Sequence, residues 1–183
     1  MLLVAAVILG VILGYVSGGR LFRLGQLRLR ALWLVPAALL IQLLIFPLFT
    51  DRPLLEAGTA PLHLLSYSLV FVFLAANLRT RPLLVVAIGA LLNLLVIAAN
   101  GGYMPSSAEA LSRAGSADVA ELLTEQGTYG NVRLMGDGTR LNLLGDLLFL
   151  PRGVPLAAAF SVGDVVMALG LGGVVWWGMR RRA

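Results

Sequence analysis

The stretch Leu156–Met179, LAAAFSVGDVVMALGLGGVVWWGM, decides how the chain is read. It is apolar over more than the ~20 residues that a helix needs to cross a bilayer. Asp164 is its one ionisable residue, Trp176 and Trp177 stand near its end, and Arg180, Arg181 and Arg182 follow it. Tryptophan favours the membrane–water interface and arginine the cytoplasmic flank, so the segment reads as a closing transmembrane span. A carboxylate there costs at least ~2.5–3.5 kcal/mol to insert, so it is expected to face protein or water and to mark function.

Composition extends this reading to the whole chain. Of 183 residues, 59% are hydrophobic and 13% charged, and the mean hydropathy is +0.91. Soluble domains average ~25% charged residues, so the chain reads as an integral membrane protein: an all-α bundle forming a single domain over 1–183. The net charge of +5 comes from arginines in short stretches beside hydrophobic segments. That is a topology signal, and the aromatic–basic interleaving of a nucleic-acid groove is absent. No cysteine is present, which excludes disulfides, thiolate nucleophiles and cysteine-ligated metals. His63 is the only histidine, so a site needing two from one chain is excluded as well. No metal and no cofactor are expected.

Five spans are predicted, at about 2–16, 31–49, 62–78, 83–99 and 156–179. The first lacks a basic lead and a cleavage site and reads as a retained helix. Gly10, Gly14 and Gly18 recur every fourth residue on it, a small-residue face for packing within the chain or for dimerisation. Gly163 and Gly170 offer the last span the same kind of close approach. Arg20, Arg23, Arg28 and Arg30 alternate with leucine after the first span. That run serves as a stop-transfer loop or binds anionic lipid head groups. Pro36 and Pro47 sit near the ends of the second span, and Asp51, Arg52 and Glu56 lie in the connection after it.

The long loop 100–155 opens with the turn NGGYMP. Residues 107–126 place leucine and valine at helical spacing among Glu109, Asp118, Glu121 and Glu125, predicting one amphipathic surface helix. Thr128–Arg140 is glycine-rich and reads as a loop. Leu141–Leu150, LNLLGDLLFL, is too short to span and reads as re-entrant or interfacial.

Five spans put the termini on opposite sides. One side carries Arg20, Arg23, Arg28, Arg30, Arg79, Arg81 and Arg180–Arg182 with no acid, and the other carries every acidic residue outside the spans. Arginine bias assigns the first side to the cytoplasm of a bacterial inner membrane, leaving the N-terminus and the long loop outside. At ~1.5 Å per residue, Asp164 then lies about 12 Å below the outer surface, Gln42 and Asn93 about 10 Å, and Ser66, Tyr67 and Ser68 about 6–9 Å. His63 sits near the mouth.

An outward-facing polar pocket is therefore predicted, centred on Asp164 and lined by Asn93, Asn100, His63, Tyr67, Gln42, Asp146 and Ser161. Interhelical hydrogen bonding is the alternative use of the same groups. Arg140 or Arg152 would reach down as the charge partner of Asp164, unless the acid is protonated. Asp146 and Asp164 together suit acid/base work, but no nucleophile elbow surrounds Ser161, and no catalytic residue is assigned.

ANGGYMP, LGDLLFLP and FSVGDVVMALG, with GGR after the first helix, resemble a family of small multi-spanning bacterial membrane proteins known only as a domain of unknown function. The resemblance covers nearly the whole chain. It implies an inner-membrane protein and singles out Asn100, Gly101, Gly102, Met104, Pro105, Asp146, Ser161, Gly163 and Asp164. It supplies no substrate. The function expected is a binding or accessory subunit, with a small-solute or ion-coupled transporter as one alternative. A membrane enzyme acting on a lipid-linked substrate at the outer face is the other. The partners expected are the bilayer and a membrane-protein partner or a second copy of the chain, and no nucleic acid.

Overall fold

The structure is a computed structural model that describes residues 1–46 and 59–181. Pro47, Asp51, Arg52 and Glu56, and the end of the predicted second span, lie outside the described residues, as does Arg182. Within them the chain is mostly helical, with eight α-helices and five short strands. Three helices are long and apolar enough to cross a membrane: α4 (Thr59–Ala76), α5 (Arg81–Ala99) and α8 (Val162–Arg180). Two apolar helices are shorter, α1 (Leu2–Val16) and α3 (Leu34–Ile45). Five full-length spans are thus not what the described helices provide. The predicted second span loses its first turn because Ala31 takes a positive φ of 52° and the helix starts only at Leu34.

The bundle runs as a row. α8 lies between α1 and α5, α4 packs on the other side of α5, and α3 packs on α4. Missing side chains make the tightest seams. A Cβ on Gly10 would stand 2.6 Å from the Gly172 carbonyl oxygen, and one on Gly14 would stand 2.5 Å from Met179 Sδ. Gly10 and Gly14 are therefore spent inside the chain, on α8. A Cβ on Gly170 would meet the Val86 nitrogen at 2.5 Å, which seats α8 on α5. Gly18 departs from the expected face. It sits beyond the helix end at φ +77° with nothing within 4 Å, and its neighbour Gly19 packs on Met179 instead. The helix ends at Val16, two residues before the four-residue spacing reaches position 18.

The arginine-bearing ends of α2, α5 and α8 lie toward one end of the bundle, while Arg113 at the end of α6 belongs to the cap. α2 (Leu21–Leu24) follows α1 and packs beside the end of α8. The backbone of Arg30 is clamped by Asn77, which accepts from its N–H and donates to its carbonyl, both at 2.8 Å. Asn77 also donates back to the Phe73 carbonyl at 2.8 Å, closing the last turn of α4.

A cap covers the opposite end. Its expected single amphipathic helix is two, α6 (Ala108–Arg113) and α7 (Ala117–Gln126). Gly115 at φ +89° breaks the run between them. Nor is the cap purely helical. β1 (Met104–Ser106) pairs in parallel with β3 (Val132–Leu134), which pairs antiparallel with β2 (Thr128–Tyr129). The predicted glycine-rich loop is thus partly a hairpin. Gly130 and Asn131 form its two-residue turn, and Gly130 takes φ +56°, the positive angle that hairpin turns demand of glycine. The expected re-entrant segment is a 3₁₀ turn over Asn142–Leu144 followed by β4 (Leu148–Leu150). β4 pairs antiparallel with β5 (Ala158–Phe160), a strand where the closing span was expected to have begun.

Candidate functional site

β5 leads straight into Ser161, and Ser161 starts α8. Its hydroxyl accepts from the Asp164 N–H at 3.0 Å, while Asp164 Oδ2 accepts from the Ser161 N–H at 3.0 Å. This reciprocal pair is a capping box, which satisfies two of the N–H groups a helix start leaves open. The carboxylate also sits at the positive end of the helix dipole, a position worth ~0.3–1 kcal/mol. Asp164 is thus in the first turn of the helix and not far down a span. The depth expected for it came from starting the helix at Leu156, six residues early.

Asn93 completes the group from α5. Its amide donates to Asp164 Oδ1 at 2.8 Å, and its carbonyl oxygen accepts from the Ser161 hydroxyl at 2.9 Å. The contact is possible because α5 and α8 touch through glycine. A Cβ on Gly89 would stand 2.5 Å from both the Gly163 carbonyl oxygen and the Met167 nitrogen, and one on Gly163 would overlap Asn93 Oδ1. Asn93 is 2% exposed and Ser161 0%. Among the described residues, no arginine pairs with Asp164. Its partners are an amide and a backbone N–H. Arg140 engages Asn100 through its backbone, and the Arg152 side chain lies against Gly115.

Asp146 and Tyr67 stand close to this network, near enough for the Asp164 charge to act on both. Strand register explains why. Leu148 pairs with Phe160, the residue before Ser161, and Asp146 stands two residues before Leu148 in the chain. Burial first, and the like charge of Asp164 second, raise the Asp146 carboxyl from 3.8 to about 7. Asp146 also forms a parallel bridge with Ser106. Residues directly opposed across a β-pair project to the same face, which sets the two side chains together. The Ser106 hydroxyl is 0% exposed and has no hydrogen-bond partner among the described residues. Native structures leave few buried polar groups in that state. Sequence reasoning did not single out Ser106, although it directly follows the NGGYMP turn.

The remaining expected residues are occupied elsewhere. His63 Nδ1 lies 2.8 Å from the Gly102 carbonyl oxygen; a carbonyl only accepts, so Nδ1 carries the proton. The ring is edge-on to Phe46 at 4.8 Å and 5.4 Å from Tyr67, so it touches the cluster while holding the turn. Gly102 must be glycine there, at φ +96° with Ala60 Cβ 2.5 Å from where a Cβ would stand. Asn100 donates to the Val96 and Arg140 carbonyls and accepts from the Arg140 N–H, each at 2.8 Å. It clamps the cap to α5 much as Asn77 clamps Arg30 at the far end. Gln42 donates to the Ser66 hydroxyl at 3.0 Å, a bond between α3 and α4. Ser68 turns back to the Leu64 carbonyl on its own helix. The polar residues thus divide between one shared cluster (Asn93, Ser161, Asp164, Asp146 and Tyr67) and separate clamps.

These features define a class: a helical bundle with three helices able to cross a membrane, closed at one end by a small mixed cap over a buried polar junction. The family follows from the sequence as a whole. Residues 26–176 match the model described as Family of unknown function (DUF5317), and the chain belongs to that family. No curated protein and no solved structure matches the chain.

Proposed function

We propose that the chain is a multi-pass protein of the bacterial inner membrane. It would act as a binding or accessory subunit, with a polar site under the outer cap and its centre at Asp146 rather than Asp164. The outward faces of the helices support the membrane setting. Val4, Ile8 and Ile12 on α1, Leu39 and Leu40 on α3, Val72 on α4, Ile88 and Leu95 on α5, and Leu169 on α8 are all exposed. Such a continuous apolar belt suits lipid. It includes the two shorter helices, which favours five spans, with α1 and α3 reaching partway or thinning the bilayer locally. Arginines gathered at one end favour that end as cytoplasmic, with the N-terminus and the cap outside.

The orphaned Ser106 hydroxyl beside Asp146 carries the binding reading. Asp164 already has both oxygens engaged and serves to fix the start of α8. Asp146 and Ser106 offer one acid and one hydroxyl, with the Tyr67 phenol nearby. That set suits a small polar or cationic group able to receive and donate hydrogen bonds. Native mass spectrometry of the detergent-solubilised protein tests this. A small adduct on the wild type that disappears in Asp146→Asn and Ser106→Ala supports the reading. Its persistence in both variants, or its absence from the wild type, refutes it.

The nearness of two carboxylates favours one second reading, a membrane enzyme acting on a lipid-linked substrate. Asp146, poised at about 7, would serve as general acid or base. A transporter gains no comparable support: between the cluster and the arginine end, the α5–α8 seam is Gly89, Ala90, Met167 and Gly170.

A further inference from the structure

The arginine end of the bundle encloses an open cleft of about 1110 Å³. Arg23, Arg28, Arg30, Arg79 and Arg181 line it together with Gln26, and among the described residues no acidic one does. Within the described residues, every Asp and Glu belongs to the cap or to the first turn of α8 at the opposite end. Guanidinium groups gathered around one space repel one another, and an anion between them removes that cost.

The walls of the cleft are fixed. Asn77, 6% exposed, holds the Arg30 backbone on both its N–H and its carbonyl. The next turn is closed by the Thr80 N–H donating to the Asn77 carbonyl at 2.9 Å. Leu24 and Leu27 lie so close to Gly178 that a Cβ there would meet them at 2.7 and 2.8 Å. The Arg20 N–H donates to the Met179 carbonyl at 2.9 Å. Arg181 lies 4.9 Å over the Trp177 ring, which holds its charge at the rim.

We infer that this cleft is a binding site for a phosphate-bearing anion. The planar fork of arginine matches phosphate oxygens in pairs, and five arginines line this one cavity. A ligand pocket holds ~300–1,000 Å³, so the space suits a phosphorylated head group or metabolite better than a bare inorganic ion. The cleft lies at the rim of the apolar belt, where lipid head groups sit. An anionic phospholipid and a soluble phosphorylated molecule share the recognised chemistry.

The test measures both sources on the purified full-length protein. Retention of phosphatidylglycerol against phosphatidylcholine is read by native mass spectrometry, and binding of inorganic pyrophosphate by calorimetry. The expected result is preferential retention of phosphatidylglycerol, binding of pyrophosphate, or both. Either should weaken about fivefold for each arginine removed in Arg28→Gln and in Arg28→Gln with Arg79→Gln. Arg113→Gln in the cap should have no effect. Phosphatidylglycerol alone assigns a lipid head group, and pyrophosphate alone a soluble phosphate. Failure of both probes, or equal loss in Arg113→Gln, overturns the inference. An unchanged unfolding midpoint of Arg28→Gln keeps a loss of binding distinct from a loss of fold.

Discussion

Replacing Asp164 with asparagine separates a capping carboxylate from a free one. The two Asp164 oxygens accept from Asn93 Nδ2 at 2.8 Å and from the Ser161 N–H at 3.0 Å. Asparagine keeps one acceptor and turns the other into a donor. If its NH2 faces Ser161, two donors meet. If it faces Asn93, that amide must flip to receive it, and the Ser161 hydroxyl hydrogen then loses the Asn93 oxygen it now donates to at 2.9 Å. Either arrangement leaves a buried group unpaired, at ~1–3 kcal/mol. Losing the charge from the helix start adds ~0.3–1 kcal/mol. The expected destabilisation is therefore about 1–4 kcal/mol, read from chemical unfolding in detergent micelles. Ser161→Ala should cost ~0.5–2 kcal/mol, and the double variant less than the sum, because both changes act on one network. An Asp164→Asn protein within about 0.5 kcal/mol of wild type would refute the capping assignment and restore Asp164 as a free functional acid.

Stability should also depend on pH through Asp146. Its folded-state value is raised, so the folded chain holds the proton more tightly than the unfolded one; stability is greatest below 3.8 and falls as pH rises through about 7. The limiting size is roughly 4 kcal/mol, and an Asp146→Asn variant should lose this part of the pH profile. Ser106→Ala removes a hydroxyl that has no partner among the described residues, so its unfolding midpoint should stay level or rise, and a clear fall would reveal a bond to that hydroxyl. Gly89→Ala should cost ~1–3 kcal/mol, because its Cβ would meet backbone 2.5 Å away; wild-type stability would mean that α5 and α8 do not touch there. Asn77→Ala should free the Arg30 segment, seen as faster tryptic cleavage after Arg28 and Arg30, and unchanged cleavage would rule out the clamp.

Much of the helical frame was legible because hydrophobic runs set it directly. Leu2–Val16 is both the predicted and the observed extent of α1. α5 starts two residues before its predicted bound, where Thr80 is the cap and Pro82 sits in the first turn, as proline prefers. The cap was harder to read. Its strands are two or three residues long, too short for alternation to register, and two of the pairings join segments distant in sequence. The Gly130–Asn131 hairpin was read as part of a loop, although Gly-Asn between short β-formers is a recognised turn signal.

The misplacement of Asp164 had a different origin, and the sequence held the correction. Hydropathy carries the apolar run back to Leu156, but Ser161-Val162-Gly163-Asp164 spells a helix start. Once the helix begins at Val162, Asp164 stands in its first turn as part of a capping box, and the depth counted from Leu156 loses its starting point. The question of what a carboxylate is doing here then passes to Asp146. No motif reveals that residue's setting, because it is made by three distant pieces: the β4–β5 register, the bridge to Ser106 and the start of α8. A group whose environment is assembled that way becomes recognisable only when the chain is folded, and Ser106 went unremarked for the same reason.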